Sequence, residues 1–86
     1  MELELYTSAF CGACAHARAV LAQAERLIPD ATVTEFDVVR HEDRAVAEDI
    51  TATPTVIVRD AGGAEVFRAS GAPTLAQVIV AAAKAV

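Results

Sequence analysis

Two cysteines three residues apart, Cys11 and Cys14, stand where one hydrophobic rhythm gives way to another. Upstream, Leu3 and Leu5 alternate with Glu2 and Glu4, and Tyr6 follows, the period-two pattern of a short strand. Downstream, Val20, Leu21, Ala24, Leu27 and Ile28 recur at helical spacing within Cys11–Ile28, while Arg18, Gln23, Glu25 and Arg26 fall mostly off that stripe. Pro29 stops the helix, because its ring restricts the preceding residue and cannot continue the ladder. Cys11-Gly12-Ala13-Cys14 is therefore expected on a strand-to-helix turn, which limits what the pair can do and what the rest of the chain can become.

The remaining segments keep alternating between the two periods. Thr32–Val38 is rich in β-branched residues and predicts a second strand. His41–Ile50 predicts a short polar helix with Ala45, Val46, Asp49 and Ile50 roughly on one side. Thr55-Val56-Ile57-Val58 is apolar enough for a strand buried on both faces. Asp60-Ala61-Gly62-Gly63 is a turn, and Glu65–Ala69 returns as the fourth strand of a hairpin. Thr74-Leu75-Ala76-Gln77 has the form of a capping box opening a last helix, whose stripe is Leu75, Val78, Ile79, Ala82 and Val86. The order βαβαββα predicts an α/β fold, a sheet with helices on both faces. At 86 residues, without a repeat or linker, one domain over residues 1–86 is expected.

The formal net charge of −5, with seven scattered Lys and Arg, opposes binding to phosphate backbones and anionic lipid. No nucleic acid and no membrane partner is expected, and no apolar run approaches the length of a membrane span. The first residues lack the basic and apolar regions of a signal peptide, so a cytoplasmic location is expected. The chain is expected to act as a monomer.

In a reducing compartment, closely spaced cysteines point to catalysis or metal binding. At a helix N-terminus, Cys11 meets free N–H groups and the positive end of the helix dipole, which favour the thiolate. Cys14, one turn in, is within reach and more buried. The roles that follow are attack on a substrate disulfide by Cys11, then release of the substrate by Cys14. Half a zinc site is the alternative, needing two more ligands. His16 lies only two residues from Cys14, and His41 follows a different strand without a paired ligand. Two inert buried cysteines are a further alternative. Pro54 opens an apolar strand, where proline cannot donate to the ladder. It reads either as a trans strand-opener or as a cis Thr53–Pro54 peptide facing the cysteines, with Thr53 backbone groups free to pair with an extended substrate.

Phe10-Cys11-Gly12-Ala13-Cys14 opening a helix, Thr53-Pro54-Thr55 before a hairpin, and Ser70-Gly71-Ala72-Pro73-Thr74 before a capped helix together resemble the thioredoxin superfamily over almost the whole chain. The resemblance implies a minimal thioredoxin fold, with sheet order 2-1-3-4 and the third strand antiparallel to the rest. It implies Cys11 as nucleophile, Cys14 as resolving thiol and a redox-active Cys11–Cys14 disulfide. Pro54 becomes the cis proline, and Phe10, Gly12, Ala13, Thr53 and Gly71 line the substrate groove. It further implies a thiol–disulfide oxidoreductase without a bound cofactor. Its partners are disulfide-containing proteins, and it is recycled by a thioredoxin-reductase-type flavoprotein or by glutathione.

The chain departs from the thioredoxin pattern. It lacks the extra N-terminal strand and helix. Ala13 stands where thioredoxins have proline, Leu5 where they carry a buried aspartate, and Glu35 near their lysine. Without the proline, a potential of roughly −200 to −260 mV is expected, less reducing than thioredoxin. Glu4 and Glu35 are the neighbouring carboxylates open to replace the aspartate; both read as solvated, as does Arg18, while Tyr6 reads as core. The compact size and Thr53 also resemble glutaredoxins. However, Thr7-Ser8-Ala9-Phe10 has no base and Ser70-Gly71-Ala72-Pro73 has no second glycine or aspartate for glutathione. That leaves Arg40 and Arg59, otherwise surface charges. A dimer sharing an iron–sulfur cluster through Cys11 and glutathione is the remaining alternative.

Overall fold

The central strand, β1 (Glu2–Thr7), is buried along nearly its whole length, so both of its faces are covered. In the computed structural model, which describes residues 1–86, it is followed by α1 (Gly12–Leu27), β2 (Thr32–Asp37), α2 (Glu42–Ala47), β3 (Thr55–Arg59), β4 (Glu65–Ser70) and α3 (Leu75–Lys84). The sheet order is β2-β1-β3-β4. β1 runs parallel to β2 and antiparallel to β3, and β3 and β4 form an antiparallel hairpin. The expected α/β fold and sheet order are those observed.

Strand alternation sorts side chains onto two faces. Leu3 and Leu5 lie opposite Val58 and Val56 and join a core with Ala17, Val20, Leu21 and Ala24 of α1 and Val78 and Ala81 of α3. Glu4 and Tyr6 lie opposite Ile57 and Thr55, on the face where Arg44 of α2 reaches them.

Several boundaries differ from expectation. α2 spans only Glu42–Ala47, and of its expected apolar side Ala45 alone is buried while Val46 is exposed. Its end is set by Asp49, whose φ of 56° is left-handed, a conformation that aspartate tolerates better than most residues. In α3, Ile79 and Val86 lie outside the core and Ala81 and Ala85 lie inside. The Thr74 capping box is formed in both directions: the Gln77 N–H donates to Thr74 Oγ1 at 3.1 Å, and the Thr74 N–H donates to Gln77 Oε1 at 2.9 Å.

Candidate active site

The pairing of Tyr6 with Thr55 puts the end of β1 beside the start of β3, and the pairing of Thr55 with Ser70 adds the end of β4. Three loops therefore leave the sheet at one edge: Ser8–Cys11, Ala52–Pro54 and Gly71–Pro73. Cys11 is the N-cap of α1, with extended backbone (φ −98°, ψ 100°). Its sulfur accepts the Cys14 N–H at 3.2 Å, one of the orphan donors that begin every helix. Cys11 and Cys14 form a disulfide with Cα atoms 5.3 Å apart. Cys14 is 2% exposed and Cys11 is partly open to solvent. An incoming disulfide therefore meets Cys11 first, and the same N–H groups and helix dipole that face its sulfur favour its thiolate.

The second loop is clamped from both sides. The Thr53–Pro54 peptide is cis and Pro54 is fully buried. Ser8 Oγ and Thr53 Oγ1 are 2.6 Å apart, tying the cysteine loop to the proline loop. The Gly71 N–H donates to the Pro54 carbonyl at 2.8 Å and carries the β3–β4 hairpin one step further. Gly71 has φ +92°, where a side chain is strained even though a Cβ would find open space. Within the chain the N–H and C=O of Thr53 take no hydrogen bond, which leaves an edge for an extended segment. Phe10, fully exposed and also left-handed at φ 59°, projects beside Cys11. Gly12 and Ala13 are exposed on the first turn of α1. The thioredoxin family profile matches residues 3–84, taking in all of these loops.

The chain belongs to the thioredoxin family.

It is 31% identical to a thioredoxin of Methanocaldococcus jannaschii over 85 residues, covering 98% of this chain and 94% of that one. The structure of a reduced thioredoxin pre-protein from Schistosoma mansoni superposes with a TM-score of 0.85 at 25% identity, covering 99% of this chain and 78% of that one. Thioredoxin 1 of Thermosipho africanus, 19% identical, shares the fold with a TM-score of 0.84, covering 98% and 92% of the two chains. Thioredoxins are thiol–disulfide oxidoreductases, and the Cys11–Cys14 disulfide fits this chain to that activity.

The surroundings of the thioredoxin motif bear out the readings of Leu5 and Tyr6 and correct those of Glu4 and Arg59. Leu5 is fully buried in the core cluster and offers no carboxylate. Glu4 is not solvated: it is 4% exposed, on the opposite face, where it takes Arg44 and, at 3.1 Å, Arg59 Nε. Tyr6 is fully buried; its hydroxyl donates to Glu4 Oε1 at 3.2 Å and accepts from Arg44 Nε at 3.1 Å. Burial is the main reason its pKa is raised. Arg59 is accordingly no free surface charge for glutathione. Its Nη2 also lies 2.7 Å from Glu48 Oε2, an ion pair by distance but without hydrogen-bond alignment.

Glu35 lies opposite Leu5, and Arg18 is one turn past Cys14. They form a two-pronged pair, both contacts 2.8 Å, and Thr7 Oγ1 donates to Glu35 at 3.1 Å. The Arg18 hydrogen bonds hold the Glu35 carboxyl below its usual range, with a smaller contribution from Thr7 and against the opposing effect of burial. Both residues are partly solvated but paired, which neither reads as in sequence. His16 is exposed, and His41 packs edge-on against Phe36. No three His, Cys, Asp or Glu side chains gather where they could hold a metal ion, so the zinc alternative finds no ligand set here. Sequence reasoning missed Ser8, since nothing local marks a serine before a cysteine loop as a clamp.

Proposed function

We propose that this protein reduces protein disulfides in the cytoplasm, as a single domain with no bound cofactor. The observation that carries the proposal is the seating of Cys11: at a helix cap, open to solvent, bonded to a buried Cys14, on the sheet edge where Thr53 offers free backbone groups. The Cys11 thiolate attacks one sulfur of the substrate disulfide. A Cys11–substrate bond forms, the substrate S–S bond breaks, and one substrate thiolate leaves. The Cys14 thiolate then attacks Cys11 Sγ, displacing the second substrate thiolate and forming the Cys11–Cys14 disulfide. Two electrons have passed to the substrate, and its two thiolates take up protons. With Leu5 where a base would stand and Glu35 engaged by Arg18, the Cys14 proton passes to water. Pro54 and Gly71 shape the groove, Gly12 and Ala13 keep its floor low, and Phe10 supplies an apolar contact.

The cycle closes by two-electron reduction. A thioredoxin-reductase-type flavoprotein is the expected donor, because of the two cations open to a glutathione carboxylate Arg59 is already held by Glu4, which leaves Arg40 alone. The oxidised protein should therefore be reduced faster by NADPH with thioredoxin reductase than by NADPH, glutathione reductase and glutathione. The opposite order would make its activity glutathione-dependent, of the glutaredoxin type. The potential should lie at roughly −200 to −260 mV, and one below that of thioredoxin would contradict the reading of Ala13.

A further inference from the structure

α2 buries little of its own. Ala45 is its one buried residue, and charged side chains tie it to the sheet: Arg44 reaches Glu4 and Tyr6, and Glu48 at its end lies against Arg59. Its last turn is closed by two backbone bonds. The Ile50 N–H donates to the Ala45 carbonyl at 2.9 Å, and the Asp49 N–H donates to the Val46 carbonyl at 3.1 Å. This Schellman pattern needs a left-handed residue at its corner, which glycine usually supplies. Here Asp49 supplies it at φ 56°, with a strain that glycine would not have. The Glu48 carbonyl has no partner within the helix, and β4 provides one: Arg68 Nη1 donates to it at 2.7 Å. Glu65 grips the same guanidinium by two hydrogen bonds of 2.9 Å, so the fork is already aimed. Ile50–Thr53 then leads from this turn to Pro54. The far half of that segment is fixed locally, by Thr55 Oγ1 donating to the Ala52 carbonyl at 2.7 Å and by the Ser8–Thr53 contact. Ile50 and Thr51 make no hydrogen bond to the sheet, so the turn before them sets their place.

We propose that Arg68 is a positioning residue for the exchange reaction: by holding the Glu48 carbonyl it keeps the strained Asp49 turn closed, and with it the backbone edge at Thr53 that pairs with an extended substrate. Arg68 acts on substrate only through this turn. The proposal rests on the exchange chemistry above and adds a determinant of how extended substrates, as opposed to small disulfides, are taken. A disulfide with no backbone to pair needs Cys11 and Cys14 but not the Thr53 edge, so the two kinds of substrate respond differently when the turn is loosened.

The test uses the reduced protein and compares second-order exchange rates with a neutral extended peptide disulfide and with hydroxyethyl disulfide. Arg68→Met removes the donor and keeps a hydrocarbon stem. It should slow the peptide reaction by about three- to fivefold and leave the hydroxyethyl disulfide rate unchanged. Amide hydrogen exchange at Asp49 and Ile50 should quicken in that variant while Val58 of β3 stays protected, the mark of a local opening. Glu65→Gln leaves the carbonyl contact in place and should change neither rate. Asp49→Gly in the Arg68→Met background should recover most of the peptide rate, because glycine takes the left-handed corner without strain. Asp49 is exposed, so Asp49→Val strains the same corner without touching the core or Arg68, and should split the two substrates as Arg68→Met does. Equal losses for both disulfides, an unchanged peptide rate, or no recovery with Asp49→Gly would overturn the role of Arg68. Failure of the unaltered protein to reduce hydroxyethyl disulfide at all would instead overturn the exchange reading on which that role depends.

Discussion

The face of the sheet under α1 and α3 is sealed with hydrocarbon, whereas the face under α2 is held by ions. On the first, Leu3, Leu5, Val56 and Val58 meet Leu21, Ala24 and Val78 with no charge among them. On the second, a nearly buried Glu4 binds Arg44, Arg59 and Tyr6, while Glu48 and Arg68 extend the network toward β4. Arg44 also lies 4.2 Å above the Phe36 ring, replacing an apolar side chain with a cation. The difference matters at the reaction edge. Cys14 is rooted in α1, against the apolar face, while Ile50, Thr51 and Ala52 follow α2 on the ionic one. Apart from the solvated Arg18–Glu35 pair at its rim, the half on which the reacting sulfur stands is the less sensitive to salt and pH, and the substrate-facing loop stands on the more sensitive one.

That contrast can be broken side by side. Leu21→Ala, which opens a void in the apolar face, should cost about 3 kcal/mol in chemical denaturation. The loss should be the same in low and high salt. Glu4→Gln should cost less, about 2 kcal/mol, because breaking a buried pair strands a charge but Arg44 is 42% exposed and can turn to water. Its cost should shrink in 1 M salt. Equal salt dependence for the two variants would erase the distinction between the faces.

The smallest effect comes from the ion pair on the α1 side, Arg18–Glu35, and measures how far that face departs from pure hydrocarbon. Glu35 has its pKa lowered in the folded state, chiefly by Arg18, from an ordinary value of 4.5. A depressed acid contributes stability above its unfolded pKa and loses it as pH falls through the folded one. Stability should therefore drop as pH falls below about 4.5, and Glu35→Gln should flatten that drop. At neutral pH the variant should lose less than about 1 kcal/mol, since the pair is solvated. An unchanged acid limb in the variant would assign the drop to other carboxylates.

These two faces were unequally legible in the sequence. Leu3 and Leu5, and the stripe of Val20, Leu21 and Ala24, announce their burial through spacing alone, which is why the strand–helix turn around Cys11 could be placed. Glu4 could not be read in this way. A glutamate alternating with leucines on a strand looks solvated, and its partners arrive from 40 and 55 residues away. α2 reads too long in sequence because Asp49 turns left-handed, and aspartate marks such a stop far more weakly than glycine or proline. At the site, Cys11, Cys14 and Pro54 carry their own signals of spacing and ring chemistry. The Ser8–Thr53 clamp is a contact across 45 residues that no local pattern encodes.

The central claim is the division of labour between the cysteines, and disulfide exchange by the two single-serine variants tests it most directly. With a protein disulfide as substrate, Cys14→Ser should accumulate a mixed disulfide through Cys11 that dithiothreitol releases, and Cys11→Ser should accumulate none and reduce nothing. A Cys11→Ser variant that keeps full reductase activity, or that traps substrate through Cys14, would contradict the account.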